Sequence, residues 1–162
     1  MSMTESQRGF TLIELIIFIV VVSVGLAGIL SVMNTTVKSS ADPMVRKQTV
    51  AIAESLLEEI LLKDYCDPDT VNSSTNPPTC GAHTQEPSRN LYDDVDDYAS
   101  YTTPAGIVDM VGAAIPGLSS YNVSAVTVVP STDLTGVAAK KVTVSVTGPG
   151  GSISLSGYRA NY

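Results

Sequence analysis

The chain has no tryptophan, two phenylalanines, one histidine and two cysteines. Its core must therefore rest on Val, Ile, Leu, Ala and Tyr. The single histidine, His83, leaves no Ser-His-Asp set and no zinc-binding helix motif, and no phosphate-binding loop is visible. Basic residues are also few: nine Lys and Arg stand against sixteen Asp and Glu, for a net charge of −7. Between Glu54 and Asp109 only Lys63 and Arg89 oppose the acids. A surface of that sign repels phosphate backbones, so no nucleic-acid partner is expected. Lys140, Lys141 and Arg159 form the one late basic group. Enzymatic activity, cofactors and a metal are not expected either, and there are no internal repeats.

Charge is absent altogether from Leu15 to Met33. Only Ser23, Gly25, Gly28 and Ser31 interrupt the aliphatics there. About 20 such residues span a hydrocarbon core of roughly 30 Å as a helix. Glu14 stands alone at the head of the run. A lone acid at membrane depth costs about 2.5–3.5 kcal/mol on insertion scales, so it calls for a partner and marks function.

Three readings of residues 1–33 compete. A secretory signal peptide needs a shorter apolar stretch with its cleavage site beyond it. A plain anchor explains the length but leaves Glu14 without a purpose. A short polar leader, Met1 to Gly9, removed before the helix, supplies one. Cleavage after Gly9 makes Phe10 the new amino terminus, four residues before Glu14 and on the same helical face. The new cation pairs with Glu14 in its own chain or in a neighbour, and losing one partner of a buried pair costs several kcal/mol. Helices then dock side by side at a defined axial offset.

Gly9-Phe10-Thr11-Leu12-Ile13-Glu14, followed by an aliphatic helix, closely resembles the type IV prepilin leader and N-terminal helix. The resemblance implies cleavage after Gly9 by a prepilin peptidase, N-methylation of Phe10, and a docking role for Glu14 in a helical filament. It implies other pilin subunits, the inner membrane and a pilus assembly platform as partners. Later segments are most similar to minor pilins of MSHA-type pili. These are the Glu-rich helix into Cys66-Asp67-Pro68, the run Tyr92-Asp93-Asp94-Val95-Asp96-Asp97-Tyr98, and the ending Gly157-Tyr158-Arg159.

The remaining chain reads as an α+β arrangement. Asp42-Pro43 looks like an N-cap with proline at the first helical position, or else a kink in one long helix. From Met44 to Asp64, Val45, Ile52, Ala53, Leu56, Leu57, Ile60 and Leu61 line one stripe that packs on a sheet; a contact with another subunit's helix is the alternative. Glu59 and Lys63 are spaced for an i,i+4 pair. Residues 65–90 read as a loop flanked by Cys66 and Cys80. After a membrane segment the cysteines read as a disulfide in an oxidising compartment, stabilising by roughly 3 kcal/mol. Free thiols and a metal are the alternatives, since His83 follows Cys80 at a Cys-x-x-His spacing, though zinc wants four strong ligands. The Tyr92–Tyr98 run is either a cation site or a solvated acidic turn with Tyr92, Val95 and Tyr98 packed inward. Ile107 to Ala114 is expected to form a short helix ended by Pro116-Gly117. Tyr121–Val128, Lys141–Val146 and Ser152–Tyr158 alternate as antiparallel strands, the last two a hairpin around Gly148-Pro149-Gly150-Gly151.

The expected division is a leader at 1–9, a membrane and assembly half-helix at 10–34, an amphipathic half at 35–64 and an exported sheet domain at 65–162. Lys38, Arg46 and Lys47 follow the span while only Arg8 and the amino terminus precede it, so the positive-inside rule does not set the orientation. The leader and the cysteines both place the carboxyl side in the periplasm, and later on the pilus surface. The expected function is a minor, structural subunit of a type IV pilus. The alternatives are a type II secretion pseudopilin and a membrane-tethered periplasmic binding protein.

Overall fold

The computed structural model describes Gly9 and residues 11–162, with the side chains of residues 35–42 excepted. Among the described residues it shows an α+β arrangement: one α-helix, α1 (Leu12–Leu61), then two single 3-10 turns (Arg89–Leu91 and Asp96–Tyr98) and the strands β1 (Asn122–Val123), β2 (Thr127–Ser131), β3 (Ala139–Gly148) and β4 (Gly151–Ala160). A long N-terminal apolar helix followed by a small antiparallel sheet is the arrangement of the type IV pilin fold. The chain divides into two compact units, with the boundary between Ala41 and Asp42.

In the first unit, Leu12–Asn34 is long and apolar enough to cross a membrane, with a mean hydropathy of 2.9 and no part of it buried within the chain. A helix suits that setting because every backbone polar group is satisfied inside the segment. Ser23 follows the same logic, its hydroxyl donating to the Ile19 carbonyl at 2.7 Å. Pro43 is an interior residue of α1. The expected restart at Asp42 is therefore not formed, and Pro43 does not open a second helix.

In the second unit, the segment of α1 from Asp42 onward lays its stripe on the sheet. Ala53 and Ile60 are fully buried, Leu56 nearly so, and Ile52, Leu57 and Leu61 pack around them against Val142, Val144 and Val146. The sheet is what covers this stripe, as its spacing predicts. Gly157 allows the approach: a Cβ there would lie 2.6 Å from Leu61 Cδ1. The helix ends at Leu61 rather than Asp64. Arg159 Nε donates to the Lys63 carbonyl at 2.7 Å, placing a cation where the helix leaves its carbonyls unpaired.

β3 is the central strand. It pairs along its length with β4, from Ala139↔Ala160 to Gly148↔Gly151, and on its other side with both β1 and β2. The two-residue turn Pro149-Gly150 closes the hairpin, and Gly151 takes φ 109°, which a residue with a Cβ resists. Tyr121–Val128 is not one straight strand. Val123 faces Val146 and Thr127 faces Thr143, so Ser124, Ala125 and Val126 oppose only Val144 and Ser145. The extra residue is a bulge, and it turns Val126 inward to 2 % exposure where strict alternation from Tyr121 would turn it out.

The helix expected over Ile107–Ala114 is absent. Asp109 instead accepts the N–H groups of Val111 at 3.0 Å and Ala113 at 2.8 Å, and Gly112 takes φ 84°. A side-chain acceptor and a left-handed glycine close a turn here, and a short apolar run cannot outweigh them.

Candidate functional site

Two regions hold the residues singled out by the sequence. The first is the head of α1. Gly9 precedes the helix and is exposed; Phe10 and residues 1–8 lie outside the described residues. Thr11 caps the helix. Its Oγ1 accepts the Glu14 N–H at 3.4 Å, and its carbonyl accepts the same N–H at 3.1 Å. Thr11-Leu12-Ile13-Glu14 is the spacing of a capping box, a signal present in the sequence that its reading did not use. Glu14 is thus exposed in the first helical turn, where the helix dipole favours a carboxylate. The first turn holds this one acid, at the head of an otherwise uncharged apolar surface.

The second region is the loop between the cysteines and the acidic turn beneath it. Cys66 and Cys80 are joined by a disulfide with their Cα atoms 5.0 Å apart. Asp67 beside the bridge accepts the Asp69 N–H at 2.8 Å and the Thr84 N–H at 3.0 Å, tying both ends of the loop together. Tyr92, Val95 and Tyr98 do pack inward, with Val95 and Tyr98 fully buried. The aspartates between them are not a solvated face. Asp94 and Asp97 are buried at 0 % and 1 % exposure. Asp94 Oδ1 accepts the N–H groups of Asp96 at 2.5 Å and Asp97 at 3.3 Å, and Asp97 Oδ2 accepts those of Asp93 at 3.0 Å and Asp94 at 3.3 Å. Two carboxylates thus serve as the acceptors of one tight turn, which is why they are inside.

His83 reaches over this turn from the stapled loop, its Nδ1 3.1 Å from Asp94 Oδ2 and its Nε2 3.9 Å from Asp97 Oδ1. Gln85 Nε2 donates to the Asp97 carbonyl at 2.7 Å. Burial holds the Asp94 carboxyl above its ordinary value. Burial also pushes Asp97 upward, but hydrogen bonds from Glu86 and from backbone N–H groups outweigh it and leave Asp97 low. Glu86 takes the opposite course: its hydrogen bond with Asp97, then burial, push its carboxyl up to about 7. Asp67, His83 and Asp94, and separately Glu86, Asp93 and Asp97, bring ligand atoms within 4.8 Å of one another, and among the described residues these are the groups that could hold a cation. They lack the loop glycine and distal glutamate of an EF-hand.

The expected Glu59–Lys63 pair is not made. Glu59 is taken by Arg89, whose Nε donates to Oε1 at 2.9 Å and whose second N–H donates to Oε2, and by the Tyr98 hydroxyl at 2.6 Å. Burial raises the Glu59 carboxyl, but these donors and the guanidinium charge outweigh it and hold it below the usual range. Lys63 donates instead to the Tyr92 carbonyl at 2.5 Å. Arg89 also donates to Tyr101 Oη at 3.2 Å and to the Val108 carbonyl at 3.1 Å, and so joins α1, the acidic turn and the following loop. The late basic residues are likewise engaged singly. Lys140 is buried against Asp96 at 2.7 Å and the Tyr65 carbonyl, Lys141 lies 3.6 Å from Asp133, and Arg159 lies 3.7 Å from Asp64. They make no basic patch.

Residues 6–30 match the family model for the prokaryotic N-terminal methylation motif. No curated protein and no solved structure matches the chain. The motif supports a type IV pilin-like or pseudopilin chain, processed by a prepilin peptidase and assembled with other pilins. It points to a structural subunit, and Leu12–Asn34, the one helix among the described residues long and apolar enough to cross a membrane, fits membrane anchoring.

Proposed function

We propose that the chain is a minor pilin: a structural subunit of a type IV pilus of the MSHA-like group. The observation that carries the reading is the head of α1. A glycine and an aromatic residue precede a capped helix whose first turn holds one acid and whose next turns expose nothing but apolar surface. Cleavage after Gly9 frees the Phe10 amine, which is then N-methylated. In lipid this cation and Glu14 neutralise each other, within one chain or between neighbours. Residues 10–34 are the membrane and assembly half, residues 35–64 carry the amphipathic half, and residues 65–162 complete the domain displayed in the periplasm and then on the filament.

The MSHA-like assignment rests on the three later segments named above and on the motif's agreement with the broader family. The test is intact-mass analysis of the membrane-extracted protein, followed by shearing of cells. A chain that begins at Phe10 with one added methyl, and is recovered in the sheared surface fraction, is the expected result. Glu14→Ala should be processed yet absent from that fraction. Retention of Met1–Gly9 in cells with active processing overturns the reading, and recovery of the mature chain only in the membrane fraction makes it a secretion pseudopilin instead.

A further inference from the structure

The two edges of the sheet differ in how they are finished. On one side β2 is five residues long and contains Pro130, which removes a backbone donor. Short length and proline are the usual protections against edge-to-edge pairing. On the other side β4 runs for ten residues and pairs only with β3. From Gly151 to Tyr158 it has no proline, no bulge and no charge. Among the described residues no backbone group of another segment bonds to its outer edge.

The direction of the free groups follows from the ladder. Ser145 gives its carbonyl to the Ser124 N–H at 2.9 Å, on the side away from β4. Ser145 and Ser154 are therefore a non-hydrogen-bonded pair, and the N–H and C=O of Ser154 point outward. Alternation gives Ser152 and Ser156 the same outward direction. The sequence Gly151-Ser152-Ile153-Ser154-Leu155-Ser156-Gly157 also reads nearly the same in both directions about Ser154.

We infer that this edge is a pairing site for a second copy of the same chain, joined antiparallel about a two-fold axis at Ser154. In that register Ser154 faces Ser154 of the other copy, and Ser152 faces Ser156. All are hydrogen-bonded pairs built from groups that now point to solvent. Ile153 faces Leu155 in the intervening pairs, and both are half-buried on the face toward α1, so pairing covers apolar surface that one copy leaves open. On the other face the row of hydroxyl pairs, Thr143 with Ser156 at 2.8 Å, Ser145 with Ser154 at 2.7 Å and Thr147 with Ser152 at 3.2 Å, continues across the join without meeting a charge. A self-complementary edge is what a two-fold contact requires. The helical segments that follow Asp42 run in opposite directions in the two copies, so the chains enter the pair from opposite ends. This pairing is a separate contact from the docking proposed for the N-terminal helices, and its failure leaves that proposal intact.

The test uses the full chain in a non-ionic detergent. With Cys66 and Cys80 bonded to each other, Ser154→Cys supplies one free thiol. A short bis-maleimide should then give a covalent dimer, and its absence overturns the inference. The register is tested by Ser154→Lys and Ser154→Glu, each carried on differently tagged chains. Either variant should lose capture of its own kind, while the mixture of the two regains it. Capture of Ser154→Lys by itself at the wild-type level, or failure of the mixture, overturns the two-fold register. A dimer held by the N-terminal helices alone would ignore these charges and give the first of those results.

Discussion

Replacing Arg89 by methionine should destabilise the globular unit by about 2–3 kcal/mol. Methionine keeps an unbranched apolar side chain, but it removes every donor and the guanidinium that lies 5.4 Å from the centre of the Tyr101 ring. Glu59 then retains the Tyr98 hydroxyl alone, and the Val108 carbonyl loses its partner. Breaking a fully buried ion pair costs about 3–5 kcal/mol. Here the Arg89 and Glu59 side chains keep 15 % and 23 % exposure, so water recovers part of that and the lower figure applies. Adding Glu59→Gln removes the stranded charge while leaving an acceptor for Tyr98. The double variant should therefore be more stable than the sum of the two single losses, with a coupling of about 1–2 kcal/mol. Urea unfolding of the full chain, followed by near-ultraviolet dichroism of its tyrosines, gives the three free energies. A loss below about 0.5 kcal/mol for Arg89→Met, the level of an ordinary surface change, or strict additivity in the double variant, would refute the claim that this network joins α1 to the acidic turn.

Two further outcomes follow from the stapled loop. Glu86 has a carboxyl raised from its ordinary 4.5 to about 7, so the folded state holds its proton longer than the unfolded one. Its contribution to stability is full below pH 4.5 and is lost as pH rises through 7. Glu86→Gln should flatten the melting temperature between those limits and leave the variant more stable than wild type at pH 8; parallel curves would show that Glu86 does not share Asp97. The bond between Cys66 and Cys80 spans a sequence separation of 14. Cys66→Ser with Cys80→Ser should lower stability by about 3 kcal/mol, read from the same urea titration, and raise amide exchange from Asp67 to Thr84.

What could be read from the sequence was periodic or local. The uncharged run after Glu14 states its own length, the stripe from Val45 to Leu61 keeps helical spacing, and Pro149-Gly150 between alternating segments specifies a hairpin. What could not be read depends on partners far along the chain or on backbone donors. Glu59 has a lysine four residues on, and spacing alone selects it; the fold offers Arg89, thirty residues away, with a planar fork that takes both carboxylate oxygens. Asp94 and Asp97 look like solvent-facing acids because charge is legible and N–H direction is not. A turn that aims several amides at one carboxylate reverses the usual preference for water. The Thr11–Glu14 box was legible and points to a local role for the same acid that the assembly argument uses. The bulge was hidden because Tyr121 to Val128 imitates unbroken alternation.

That bulge has a mechanical consequence. Tyr121 and Val123 sit on odd positions, Val126 and Val128 on even ones, and all four turn toward the core only because one surplus residue lies between them. Sliding this strand along β3 by a single step with its bulge intact would turn all four outward, and a step that absorbed the bulge would seat one couple only by expelling the other. The offset therefore works like two combs of opposite phase on one rail, and the sheet has no neighbouring alignment into which a pull along β3 could ease it.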